Sequence, residues 1–165
     1  MQTIFIKPEF LWNEETWAAY NETFRYCREH RLELKEYGDR FEIFIPTITD
    51  YCVKRLSELE DSFDARVSGS FVCSFGWPMQ FDRSDTLAVE GAIQLMRANG
   101  QTEGYLTDAN DETHYDLPLA TIEAVKLEML AAYAACHARK QELRAAINAA
   151  QTEEELNAIQ ITWPV

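Results

Sequence analysis

The last third of the chain sets the tightest constraint on its fold. From Pro118 to about Ala150 the residue pattern is helical and stays helical. A proline is tolerated at a helix start, where its missing N–H would have no partner in any case. Some thirty helical residues extend about 45–50 Å at 1.5 Å per residue. A compact chain of 165 residues is roughly 40 Å across. The predicted helix therefore spans the whole protein or projects from it. Ile122, Met129, Cys136, Leu143 and Ala150 are spaced by seven, and Val125, Ala132 and Ala146 follow three of them, with Arg139 interrupting. This narrow stripe suits either the chain's own core or a seam with a second copy or a partner, and the spacing leaves both open.

Upstream, short alternating runs and shorter helical patterns take turns. Thr3 to Lys7 reads as a strand. Asn13 is a good N-cap, Glu14 and Glu15 suit the positive end of the helix dipole, and Trp17, Tyr20, Phe24 and Cys27 recur at helical spacing to about His30. Leu32 and Leu34, then Phe41, Ile43 and Ile45, flank Gly38-Asp39 and predict a hairpin with a two-residue turn. Thr49 or Asp50 is read as the cap of a second helix with the stripe Val53, Leu56, Phe63 and Val67, stopped by Gly69. Ser70–Phe75 and Met79–Phe81 flank Gly76-Trp77-Pro78 as a second hairpin. Ser84 or Asp85 is read as the cap of a third helix, holding Leu87, Ile93 and Met96 and closed by Asn99-Gly100. Tyr105–Thr107 and Thr113–Leu117 flank a polar turn, Asp108 to Asp111. Thr152 with Glu155 resembles a capping box that opens a short last helix. The expected fold class is α+β: short β-hairpins with segregated helices and one long C-terminal α-helix.

Charge excludes several functions. There are 15 Lys+Arg against 28 Asp+Glu, a formal net charge of −13. That balance opposes direct nucleic-acid binding, which needs a basic footprint, and docking on anionic lipid. Hydrophobic residues at 47% allow a packed core and argue against disorder. The opening MQTIFIKPEF has no apolar core of signal-peptide length, so a cytoplasmic protein with free thiols at Cys27, Cys52, Cys73 and Cys136 is expected.

Candidate chemistry is sparse. Cys27-x-x-His30 and adjacent Cys136-His137 fall short of a zinc site, because neighbours on a helix point about 100° apart. Asp108, Asn110 and Glu112 alternate as in a calcium loop, but Thr113 and Leu119 stand where that loop needs glycine and glutamate. No nucleophile, phosphate-loop or dinucleotide motif occurs, so neither an enzyme nor a cofactor is expected. The acids are the remaining feature. Glu15, Glu22, Glu29 and Glu36 are spaced by seven, and Asp108, Asp111 and Glu112 fall in an acidic stretch. Regular carboxylates can imitate a phosphate backbone, although Arg25, Arg28 and Arg31 interleave with the first series as ordinary surface pairs.

From about Asp50 onward the order of motifs is distinctive. Lys54-Arg55-Leu56-Ser57-Glu58-Leu59 leads to Phe71, and then to Gly76-Trp77-Pro78-Met79-Gln80-Phe81-Asp82-Arg83-Ser84-Asp85. Ala92-Ile93, Tyr105-Leu106-Thr107-Asp108-Ala109-Asn110, Leu143-Arg144-Ala145-Ala146-Ile147, Thr152-Glu153-Glu154-Glu155-Leu156 and a Trp163-Pro164 ending follow. This resembles a C-terminal domain of unknown function in small tailed-phage proteins encoded beside tail-fibre genes and labelled tail-fibre assembly proteins. The resemblance divides the chain into residues 1–48, a β-α-hairpin unit, and 49–165, a tail-associated-like domain. It implies a phage or prophage origin, a non-enzymatic role and a protein partner, either a phage tail or fibre protein. Trp77, Met129, Tyr133, Leu143 and Trp163, with Trp12 and Trp17, are the candidate contact residues, and the long helix is the candidate seam for a homo-oligomer. The expected location is the host cytoplasm or the virion. The alternative is an acidic inhibitor of a host defence nuclease, acting through the carboxylates above.

Overall fold

The computed structural model describes residues 4–6, 14–30, 32–38 and 40–164, with the backbone alone at 4–6. The expectations for Thr3, Lys7, Trp12, Asn13, Arg31 and Asp39 lie outside the described residues. The chain divides into two compact units, Met1–Tyr51 and Cys52–Val165.

The first unit holds β1 (Ile4–Ile6), α1 (Glu14–Glu29), β2 (Glu33–Tyr37) and β3 (Arg40–Phe44). The strands form one antiparallel sheet in the order β1-β3-β2. Tyr37 pairs with Arg40 across the hairpin, and Gly38 takes φ +50°, a conformation that favours glycine. The α1 stripe is only partly inward. Cys27 and Thr23 are buried, Tyr20 lies 5.1 Å from the Phe41 ring, and Trp17 and Phe24 are exposed.

The division falls inside α2 (Ile48–Val67). Its cap is Thr47, two or three residues earlier than the sequence suggested. The Asp50 carboxylate accepts from the Thr47 N–H at 2.8 Å and from the Thr47 hydroxyl at 2.7 Å, a reciprocal clamp at the first turn. Leu59, Phe63 and Val67 form the buried stripe, whereas Val53 is exposed.

The second unit continues with β4 (Ser70–Val72), β5 (Pro78–Gln80), α3 (Arg83–Ala98), β6 (Glu103–Thr107), β7 (Thr113–Pro118), α4 (Leu119–Ala149) and α5 (Glu153–Ala158). The pairs β4-β5 and β6-β7 are two separate antiparallel hairpins. The fold is thus α+β, with small antiparallel sheets and a C-terminal helix of 31 residues. That helix organises the unit. Ile122, Val125, Met129, Cys136, Leu143 and Ile147 are its buried residues, a stripe stepping by three, four or seven as a straight helix demands. Ala146 is exposed and Ile147 takes its place, because 3.6 residues per turn drift away from a strict seven-residue repeat.

Salt bridges fix the neighbours. Arg97–Glu123 at 2.7 Å and Lys126–Glu90 at 2.6 Å run α3 antiparallel to α4. Lys140 and Arg144 both hold Glu60 of α2. Gly104 of β6 is required by closeness, since a Cβ there would sit 2.9 Å from the Met96 sulfur and 3.2 Å from Ile122 Cδ1. The tail is strapped down. Trp163 Nε1 donates to Ser62 Oγ at 2.9 Å, its ring meets Phe63 edge-on at 5.7 Å, and Arg55 donates to the Ile159 carbonyl at 2.6 Å. All four cysteines are free, three of them buried. Among the described residues no helix is long and apolar enough to cross a membrane.

Candidate functional site

The β4-β5 loop and the β6-β7 turn build one constellation. The Trp77 ring stacks on the His114 ring at 4.1 Å and 15°, and Phe75 stacks on Trp77 at 5.2 Å. Ser74 anchors the loop by donating its N–H (2.7 Å) and hydroxyl (2.5 Å) to Glu128 of α4. Asp108 was expected on an acidic surface, and the structure corrects this, since its side chain is only 2% exposed. Its Oδ1 accepts from the Asn110 N–H at 2.8 Å and the Glu112 N–H at 3.1 Å, and its Oδ2 lies 3.2 Å from His114 Nε2. Burial pushes the Asp108 carboxyl up. The two amides and the imidazole outweigh that and hold it below the ordinary value of 3.8. The carboxylate is therefore spent on shaping its own turn.

The other acids divide similarly. Glu15, Glu22 and Glu29 are exposed on α1, but Glu36 belongs to β2, so the helical series stops at three. Asp111 and Glu112 are exposed at the hairpin tip, where Asp111 takes φ +60°. No group of three or more metal-ligating side chains occurs among the described residues.

The expected contact residues also separate. Met129 (1% exposed) and Leu143 (3% exposed) face the chain's own interior. Trp77, Tyr133 and Trp163 are half-buried, and Trp17 is exposed. The exposed apolar surface of the second unit comes mostly from residues outside that set. Leu87 and Leu95 project from α3, Leu127 and Leu130 from α4, and Tyr105 and Tyr115 from the β6-β7 hairpin. The two tyrosine rings lie 6.1 Å apart, at a bulge where Asp116 takes φ +55°. Leu87 lies on α3 as the sequence predicts, and it is 61% exposed, unlike the buried Ile93 and Met96 of the same helix. Part of the signal for Leu127 and Leu130 was present in the sequence, since both fall off the Ile122–Met129–Cys136 stripe, and the burial of that stripe leaves them outside it.

Leu87 and Leu130 meet at a groove between α3 and α4. Arg83, Thr86, Tyr133 and His137 complete its lining, and its volume is about 340 Å³. Tyr133 and His137 stack at 6.2 Å and 19° along its α4 wall. The lining has apolar area, two ring edges, a guanidinium and an imidazole, and no carboxylate. Such a lining offers apolar area for burial and a guanidinium for ion pairing.

No curated protein matches the chain, and no solved structure does. A family model does match, over residues 51–160, which covers the second unit almost completely and most of the chain. By that match the chain belongs to the family described as Domain of unknown function (DUF4376).

Proposed function

We propose that this chain is a non-enzymatic phage protein that works through protein–protein contacts, as a tail-fibre assembly chaperone or tail adaptor in the host cytoplasm or on the virion. The observation that carries the contact role is the set of exposed large apolar side chains on the second unit: Leu87, Leu95, Leu127, Leu130, Tyr105 and Tyr115. Scattered surface leucines are ordinary, but Leu87 and Leu130 meet at one groove between adjacent helices and supply the apolar centre that an interface needs. The tail-fibre assignment rests on the motif resemblance of residues 50–165. The test is co-purification of the tagged chain with fibre and tail proteins encoded beside it. Retention of a fibre protein at stoichiometric level is the expected result, and failure to retain any virion protein sinks the reading.

A second reading, an acidic inhibitor of a host defence nuclease, is favoured by Glu15, Glu22 and Glu29. They lie on one exposed face of α1, about 10 Å apart by helical rise. Charge reversal of all three decides it: nuclease inhibition that persists excludes phosphate mimicry.

A further inference from the structure

We infer that the α3/α4 groove is the seat for an acidic, leucine-bearing segment of the protein partner. The inference rests on the contact role proposed above and names the chemistry of what is bound.

The argument begins with charge. In a chain of net charge −13, this groove is lined by Arg83, Thr86, Leu87, Leu130, Tyr133 and His137 without one acid. The other helix cations nearby are already engaged: Arg97 with Glu123, Lys126 with Glu90, Arg139 with Glu142, and Lys140 and Arg144 with Glu60. Arg83 holds no carboxylate among the described residues. Its nearest acidic neighbour in sequence does not serve it. The Asp82 carboxylate accepts from the Asp85 N–H at 2.8 Å and the Ser84 hydroxyl at 2.7 Å.

Arg83 is also poorly placed for the helix itself. It is the first residue of α3, where a cation opposes the helix dipole. Its charge is therefore of no use to α3 and is free for a ligand. A guanidinium beside two exposed leucines fits a carboxylate that sits next to an apolar anchor. The groove runs between antiparallel helices and is tied at one end by Lys126–Glu90, which lies one α4 turn from Leu130. That geometry suits an amphipathic helix or extended segment laid along it, with its leucines on Leu87 and Leu130 and its acid toward Arg83.

The test uses the full chain and a defined probe, the blocked peptide acetyl-Ala-Leu-Ala-Glu-Leu-Leu-Ala-Glu-Leu-Ala-amide, with its Glu→Gln counterpart as control. Methyl NMR shifts of Leu87 and Leu130 are followed during titration. Saturable shifts at both methyls are expected, with the glutamine peptide weaker by about three- to fivefold, the scale of an exposed ion pair. Arg83→Gln removes that difference. Leu130→Glu, at an exposed position, abolishes the Leu87 shift while circular dichroism and Tm stay unchanged; Leu87→Ser, read at Leu130, serves if that variant misfolds. Absence of saturable shifts, or equal binding of the two peptides, overturns the inference. So does a wild-type dimer in light scattering that Leu130→Glu dissociates, since the occupant is then a second copy.

Co-purification separates the two levels of the argument. If Arg83→Glu and Leu130→Glu still retain the fibre protein, the groove assignment fails and the contact role survives. If the wild type retains no virion protein while the peptide titration succeeds, the tail-fibre reading fails and the groove chemistry stands.

Discussion

Asp82 accepts the Asp85 N–H at 2.8 Å and so closes the open end of α3. Those two hydrogen bonds, first the Asp85 amide and then the Ser84 hydroxyl, hold its carboxyl below the ordinary 3.8. Removing the acceptor in Asp82→Ala leaves the amide unpaired. We expect a loss of about 1 kcal/mol in urea unfolding, most of it restored by Asp82→Asn. Next to it, Phe81 is fully buried, meets Phe71 edge-on at 5.6 Å and lies under the Arg66 guanidinium at 4.8 Å. Phe81→Ala should cost about 3–5 kcal/mol by the same assay. The sequence placed this cap on Ser84 or Asp85. Three capping side chains lie within four residues, and residue type alone does not say which one accepts and which supplies the amide. Asp85 supplies the amide, and burial followed by the Asp82 charge pushes its own carboxyl up. The same ambiguity moved the α2 cap to Thr47. Asp108 shows a deeper limit, because an exposed carboxylate and a buried one read alike until the amides that meet them are placed.

At the scale of elements, the β6-β7 hairpin depends on that buried carboxylate. Asp108→Ala orphans the Asn110 and Glu112 amides and releases the His114 ring. The expected outcome is a Tm lower by about 5 °C, with altered Trp77 fluorescence as the stacked imidazole moves. The tail strap is the second such device. Trp163→Ala loses the Phe63 edge contact and the bond to Ser62, and should destabilise by about 2 kcal/mol in thermal unfolding. Leu143→Asp on α4 would set a carboxylate among buried side chains, and should cost more than about 4 kcal/mol or prevent folding. The hairpins were legible from alternation and turn residues, since period two and Gly38-Asp39 are local signals. The bulge at Tyr115-Asp116 was not, because an extra residue in one strand leaves no mark on composition. The α4 stripe was legible through Ile122, Met129, Cys136 and Leu143. Its direction was not, because periodicity names a face without naming what covers it.

For the molecule as a whole, the acids govern the response to pH. The Lys140 ammonium beside Glu60, and Lys126 beside Glu90, hold those carboxyls below 4.5, and Asp82 and Asp108 lie below 3.8. A depressed folded value means that protons bind the unfolded chain first. This stability is complete above the ordinary carboxylate range and is lost as pH falls through the lower folded values. Asp85 works in the opposite sense, easing folding as it protonates. Thermal scans should therefore show Tm level near neutrality and falling below about pH 4. Added salt at pH 7 should weaken the exposed Arg97–Glu123 pair first. The groove itself was not legible, since Leu130 is distant in sequence from Arg83 and Leu87 and meets them only once α3 is laid against α4.

The buried sulfurs carry one more consequence. Cys27 lies inside the first unit, and Cys73 and Cys136 inside the second. Burial pushes the thiols of Cys27 and Cys136 up, so the reactive thiolate is scarce while the native packing holds. An alkylating reagent would then mark the half-buried Cys52 first, and would reach Cys27, Cys73 and Cys136 only as the packing around each of them breathes.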